Sequence, residues 1–299
     1  SAKQKLKNRT DSAFLPADFE YYSDMSEKSM NIIKKFADVF EYVGRDEAYL
    51  DVTEKVELDF TKASHIAQQI KNEVREKTKL TCSVGISPNK LLSKIASGYK
   101  KPDGLTTVTP DNVSEFMETL NLGDIHGIGK KTQQKLAAEN IETISQAKSL
   151  DIFALINMFG RKSGTYIYNA IRGIDDEPVT IRAPMLQLSK ISTLREDSVD
   201  YAFLEKSLLE LCEKLHLSIL KENRMFRSVG IHLTQDDLST KTRSRMLRNP
   251  TLSLDELKKV SRQLLKEALE DQSALIRRLG VKVSELSDIE GQSDITSYF

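Results

Sequence analysis

Cysteine and histidine are both scarce in this sequence. Across 299 residues there are two cysteines, Cys82 and Cys212, and four histidines, His65, His126, His216 and His232. Neither set shows the close spacing of a zinc site or of a disulfide framework, which argues against a structural metal and against a cross-linked secreted domain. Reduced cysteines point to an intracellular, cytoplasmic compartment. No apolar run reaches the length of a membrane span and no secretory signal pattern opens the chain, so no membrane partner is expected. Net charge is also absent, with 44 Lys plus Arg against 44 Asp plus Glu. Any acidic partner must therefore be met by local basic faces rather than by the molecule as a whole. The remaining composition, 39% hydrophobic and 29% charged, is ordinary for a folded chain of two or three domains.

The opening stretch "SAKQKLKNRTDSAFLP" reads as the end of a basic helix followed by an extended link. "EYYSDMSEKSMNIIKKFADVF" carries Met25, Met30, Ile33, Phe36, Ala37 and Phe40 at helical spacing. A hairpin then surrounds Asp46 and Glu47, followed by a helix over "KASHIAQQIKNEVREKT" with Ile66, Ile70 and Val74 in one stripe. "LTCSVGIS" predicts a buried strand, "PNKLLSKIASGY" a helix opened by Pro88 and Asn89, and "KKPDG" a turn into the strand "LTTVT". That order predicts an antiparallel sheet with helices on one face, an α+β arrangement. From residue 110 short helices take over as far as Gly173. "DDEPVTIRAPM" is poorly periodic and reads as a linker. Beyond it the pattern resets to β-α-β-β-α-β, a small sheet packed on two helices, and ends in a tail without core-forming periodicity.

Four stretches have chemical potential. In a regular strand Asp46 and Glu47 point to opposite faces, so for both to meet one ligand the chain must turn or bulge at Gly44–Arg45. Clustered carboxylates are what a hard cation such as Mg²⁺ prefers, and they serve two-metal phosphoryl transfer. An exposed hairpin turn with incidental acids fits the same residues. In "GDIHGIGKKTQQKLAAENI", Gly127 and Gly129 open a helix whose free N–H groups, with Lys130, Lys131 and Thr132, suit a phosphate backbone. A plain glycine turn between packed helices is the alternative. "KTRSRML" puts Lys241, Arg243 and Arg245 on alternate positions, a phosphate track or a charge-guarded edge strand. Lys190, Arg277, Arg278 and Lys282 are candidates to extend it. Finally, "QSDITSYF" offers Gln292, Ile295, Tyr298 and Phe299 as an apolar plug with no core of its own to join, or as an incidental frayed tail.

Together these pieces resemble the Y-family, translesion DNA polymerases of the DinB/polymerase IV type, in an archaeal-like form. "DEAYLD" and "SVGISPNKLLSKIAS…KKPDG" match the family's palm signatures, "HGIGKKT" its thumb, and residues 187–286 its little finger. The resemblance implies a low-fidelity, template-directed enzyme that adds deoxynucleoside triphosphates to primer–template DNA, working as a monomer. It implies Asp46 and Glu47 as catalytic and metal-binding residues for two Mg²⁺ ions, and Lys101, with Lys94 nearby, as contacts to the incoming triphosphate. The tail resembles a sliding-clamp binding peptide. Implied domains are a remnant of the fingers over 1–18, a partial palm over 19–109, and a thumb over 110–175. A linker over 176–186, a little finger over 187–286 and a tail over 287–299 complete the division.

Two departures stand out. Gly44–Arg45 occupy the place of the usual Ser and apolar residue. The family's first strand, with a further metal-binding Asp, its aromatic steric gate and most of its fingers have no counterpart here. The expectation is a site that binds metal poorly, and the alternative function is a non-catalytic fragment that binds DNA and the clamp.

Overall fold

The computed structural model describes residues 5–7, 9–181, 185–270 and 274–289. The chain divides into two compact units, Ser1–Ala183 and Pro184–Phe299, a boundary that falls inside the expected linker.

In the first unit, Asp18 caps helix α1 (Phe19–Lys34) by accepting the Tyr21 N–H. The helix stops before Phe36, Ala37 and Phe40; Val39 and Phe40 already belong to strand β1 (Val39–Gly44). β1 pairs antiparallel with β2 (Glu47–Asp51). A short helix α2 (Thr53–Val56) leads to α3 (Phe60–Thr78), capped by Asp59 and ended by Lys79 in the left-handed region at φ 62°. The stripe Ala63, Ala67, Ile70 and Val74 is buried. Ile32, Ile70 and Val74 form the centre of a small core against which Leu50 and Ile66 pack.

Strand β3 (Val84–Ile86) and β4 (Leu105–Thr107) flank helix α4 (Lys90–Tyr99), which Asn89 caps. Here the structure departs from the single antiparallel sheet expected from the sequence. β1–β2 and β3–β4 are separate two-stranded sheets, and the second is parallel. Parallel pairing needs a crossover connection, and α4 supplies one between β3 and β4 where a hairpin could not. Helices α5 (Val113–Glu118), α6 (Lys130–Ala137), α7 (Ile144–Lys148), α8 (Ile152–Phe159) and α9 (Arg161–Ala170) follow. Leu92, Met117, Ile125, Ile128, Leu136 and Leu155 bury together there, joining α4 to the short helices in one core.

The second unit has the expected order: β5 (Gln187–Ser198), α10 (Tyr201–Lys221), β6 (Arg224–Gln235), β7 (Thr240–Thr251), α11 (Leu254–Leu269) and β8 (Ile276–Asp288). The strands run β5-β8-β6-β7 across one sheet, all antiparallel. Leu208, Leu215, Val229, Ile231, Leu257, Leu265, Val281 and Val283 are fully or almost fully buried between the sheet and both helices. Each such side chain contributes about 1.5–3 kcal/mol on leaving water, so this layer alone fixes which sheet face is inward. β8 runs two residues into the expected tail because Arg224 pairs with Asp288, in the ladder and through a 2.8 Å ion pair. Pro250 sits on edge strand β7, in the stretch where the register with β6 shifts, a position that tolerates a residue without an N–H.

Candidate active site and nucleic-acid faces

Arg45 and Asp46 form the turn between β1 and β2, and Glu47 opens β2 opposite Gly44. The register shifts between Tyr42 and Gly44, the bulge needed to bring adjacent carboxylates to one place. Asp46 and Glu47 both line a cleft of about 550 Å³ that also receives Lys94, Ser97 and Lys101. Arg45 does not reach this cleft. Its guanidinium lies over the Phe19 ring at 5.5 Å, and its carbonyl accepts from Ser26 at 2.5 Å. The substitution ahead of the carboxylates thus places its charge over α1 and leaves the pair accessible.

Lys94 Nζ donates to Glu47 Oε1. This hydrogen bond holds the Glu47 carboxyl below its ordinary range against the opposing effect of burial, with the charges of Lys94, Lys101 and His126 adding to it. Lys94 comes within reach because α4 packs closely on β3. A Cβ on Gly85 would stand 2.1 Å from the Ser93 carbonyl oxygen and 2.4 Å from the Ser97 nitrogen. Sequence reading gave Gly85 no role; a small residue in a strand that faces a helix is the signal it left.

Two further lysines buried in this unit were not among the predicted site residues. Lys90 donates to both carboxylate oxygens of Glu41 at 2.9 and 3.0 Å and to Glu177 at 3.1 Å. Glu41 also accepts the Thr180 N–H at 3.0 Å. The segment expected as a linker is therefore irregular in shape but held against β1 and α4 as far as Thr180. Lys71, the second, ties the "KPDG" turn to the residues before β3.

In the glycine turn, Gly127 has φ +87°, and a Cβ there would meet the Tyr166 ring at 2.6 Å. Tyr166 Oη donates to the His126 carbonyl at 2.5 Å, so one aromatic side chain braces the turn from behind. Gly129 caps α6 without a side-chain hydrogen bond and has open space on its Cβ side. Lys130 and Lys131 are exposed beside it and Thr132 is half-buried.

The basic residues of the second unit separate onto two faces. Lys241, Arg243 and Arg245 do share a face, opposite Leu233, Ile231 and Val229, which makes it the helix-covered side. Arg245 is engaged there by Gln263 at 2.6 Å and Glu267 at 2.5 Å. Lys190 lies opposite buried Val281, on that same side. Arg278 and Lys282 stand opposite Thr234 and Gly230 on the uncovered face, where the Lys282 chain lies over Gly230. Arg277 falls at the register shift and faces Asp197 at 3.8 Å. The single track read from alternation divides because "KTRSRM" is polar on both sides, and its own sequence leaves the buried side unspecified. Gln292, Ile295, Tyr298 and Phe299 lie outside the described residues.

The "impB/mucB/samB family" model matches residues 1–98, its C-terminal-domain model residues 186–296, and a "DNA polymerase-iota, thumb domain" model residues 123–175. A "DNA polymerase IV" of Nitrosopumilus maritimus is 64% identical over 298 residues, spanning 100% of this chain and 82% of that protein. One from Methanosarcina acetivorans is 36% identical, spanning 98% and 81%. Among solved structures, the "Y-family DNA polymerase chimera Dbh-Dpo4(243-245)-Dbh" is similar at a TM-score of 0.87 and 28% identity, covering 95% of this chain and 82% of that one. The "Insertion ternary complex of Dbh DNA polymerase" is similar at 0.65 and 27%, covering 96% and 82%. These relatives place the chain in the class of DNA-directed nucleotidyltransferases. The chain belongs to the Y-family DNA polymerases of the DinB/polymerase IV type, the translesion class.

Proposed function

We propose that this chain carries out Mg²⁺-dependent, low-fidelity extension of a primer against damaged template DNA. The observation that carries the reading is the meeting of Asp46, Glu47, Lys94 and Lys101 in one cleft. Two carboxylates match the oxygen donors Mg²⁺ takes, and among the described residues no group of three metal-binding side chains forms. Mg²⁺ commonly keeps several waters and shares its remaining sites with substrate phosphates. Bound there, Mg²⁺ would supply the positive charge that activates a primer hydroxyl and offsets the charge of a leaving pyrophosphate. Asp46 and Glu47 would be the carboxylates that hold it. Lys101 offers an ammonium to the triphosphate, and Lys94 exchanges its bond to Glu47 for one to a phosphate oxygen. Gly129 and the N–H groups that start α6 take a primer-strand phosphate, with Lys130, Lys131 and Thr132 adding donors. Lys282 and Arg278 follow the duplex from the uncovered sheet face, and Gln292, Ile295, Tyr298 and Phe299 engage a sliding clamp.

The absence of a three-ligand group among the described residues also favours a second reading, a DNA- and clamp-binding chain without catalysis. Single-nucleotide incorporation on a primed template separates them. The first reading expects template-directed addition that a chelator abolishes and Mg²⁺ restores. Tight DNA binding with no addition at any Mg²⁺ concentration overturns it and leaves the second.

A further inference from the structure

Lys71 lies on α3 with 9% of its side chain exposed. An ammonium so placed is tolerated only when its donors are met. Four acceptors surround it: the Cys82 carbonyl at 2.7 Å, the Asp103 carbonyl at 2.8 Å, the Gly104 carbonyl at 3.3 Å and an Asp103 carboxylate oxygen. One precedes β3; the other three belong to the turn that carries Lys101. In that turn Asp103 has φ +55°, a left-handed conformation that needs support from its surroundings. The support is dense. The Lys71 bond holds the Asp103 carboxyl below the ordinary carboxylate range, Arg75 stands 3.7 Å from the other oxygen, and the Gly104 N–H donates to Ser83 Oγ at 3.1 Å. Lys71 itself is not among the residues lining the cleft, whereas Lys101 is.

We propose that Lys71 is a positioning residue for nucleotide binding. By clamping the backbone at Asp103–Gly104, it fixes the point from which Lys101 presents its charge to the phosphates of the incoming nucleotide. This rests on the role given above to Lys101. Because Lys71 does not line the cleft, its effect passes through the turn; if it merely stabilised the fold, its loss would lower stability without selecting for nucleotide affinity.

The test combines Lys71→Met with Asp103→Ala, whose half-exposed carboxylate can be removed without emptying the core. Hydrogen exchange at residues 100–104 is measured in the free chain, and KM and kcat for one deoxynucleoside triphosphate on primed DNA. Lys71→Met is expected to speed exchange at the turn and raise KM about 5- to 20-fold with kcat within about two-fold. Asp103→Ala should move both in the same direction by less. In a Lys101→Ala background, Lys71→Met should add almost nothing to KM, since the two act as one unit. Fully additive losses, or an unchanged KM, overturn the proposal. Unchanged exchange at 100–104 in either variant overturns it too, in a chain that incorporates nucleotide and in one that does not. Failure of the parent chain to incorporate speaks against the proposed function, and the exchange result then decides the clamp on its own.

Discussion

Glu47 and Lys94, 47 positions apart, are joined by one charge-assisted hydrogen bond between the start of β2 and the middle of α4. The bond gives the Glu47 carboxylate a cationic partner from α4. Its consequence is a titration. Glu47 has a lowered folded pKa, so its contribution to stability is present above its unfolded value and lost as pH falls through the lowered one. With 42% of the Glu47 side chain exposed, solvent screening keeps that contribution small. Lys94→Ala should therefore move the Glu47 carboxyl up toward its ordinary range, followed by carboxyl carbon NMR. A Glu47 titration unaffected by the substitution would show that Lys94 is not its partner in solution.

The approach of α4 to β3 depends on the hydrogen atom at Gly85. A methyl group there meets backbone atoms rather than a mobile side-chain end, so neither neighbour yields easily. Gly85→Ala should cost about 1–3 kcal/mol of stability, the range for overpacking. It should also weaken the Glu47–Lys94 bond by pushing the helix away. Urea denaturation with the midpoint unchanged would contradict this packing.

Tyr166 predicts a separation between ring and hydroxyl. Its ring fills the space behind Gly127, while its hydroxyl only adds a bond to the His126 carbonyl. Tyr166→Ala should weaken duplex binding about three- to ten-fold by freeing the turn that presents Gly129 and α6, with Tyr166→Phe within about two-fold of the parent. Fluorescence anisotropy on a labelled duplex checks both. Equal losses in the two variants would assign the effect to the hydroxyl instead.

The two faces of the second unit give opposite expectations. Lys282→Ala should reduce the salt dependence of DNA binding by about one phosphate contact. Arg245→Ala should leave that slope alone and cost about 1 kcal/mol or less of stability, since its partners are Gln263 and Glu267 on α11. Binding isotherms across a salt series distinguish them, and a slope that falls with Arg245→Ala would restore the single basic track.

Much of this was legible in the chain itself. Asn89, at the start of "PNKLLSKIASGY", marks where α4 begins, and the β-α-β-β-α-β order read beyond the linker is the order the second unit has. The carboxylate pair and the need for a bulge beside it were equally visible. What local pattern could not supply was pairing at a distance. Nothing near Lys90 announces Glu41 and Glu177 as its partners, and nothing near Lys71 announces Asp103. The face occupied by Arg245 depends on Val229 across the ladder, and the parallel pairing of β3 with β4 on the helix between them.

The most direct test of the account is Asp46→Ala, compared with the parent chain in primer extension and in duplex binding. Asp46 sits at an exposed turn and contributes no core packing. The account predicts that extension is abolished while duplex affinity stays within a few-fold. Equal loss of both, or extension that survives the substitution, would contradict the role of this carboxylate in nucleotidyl transfer.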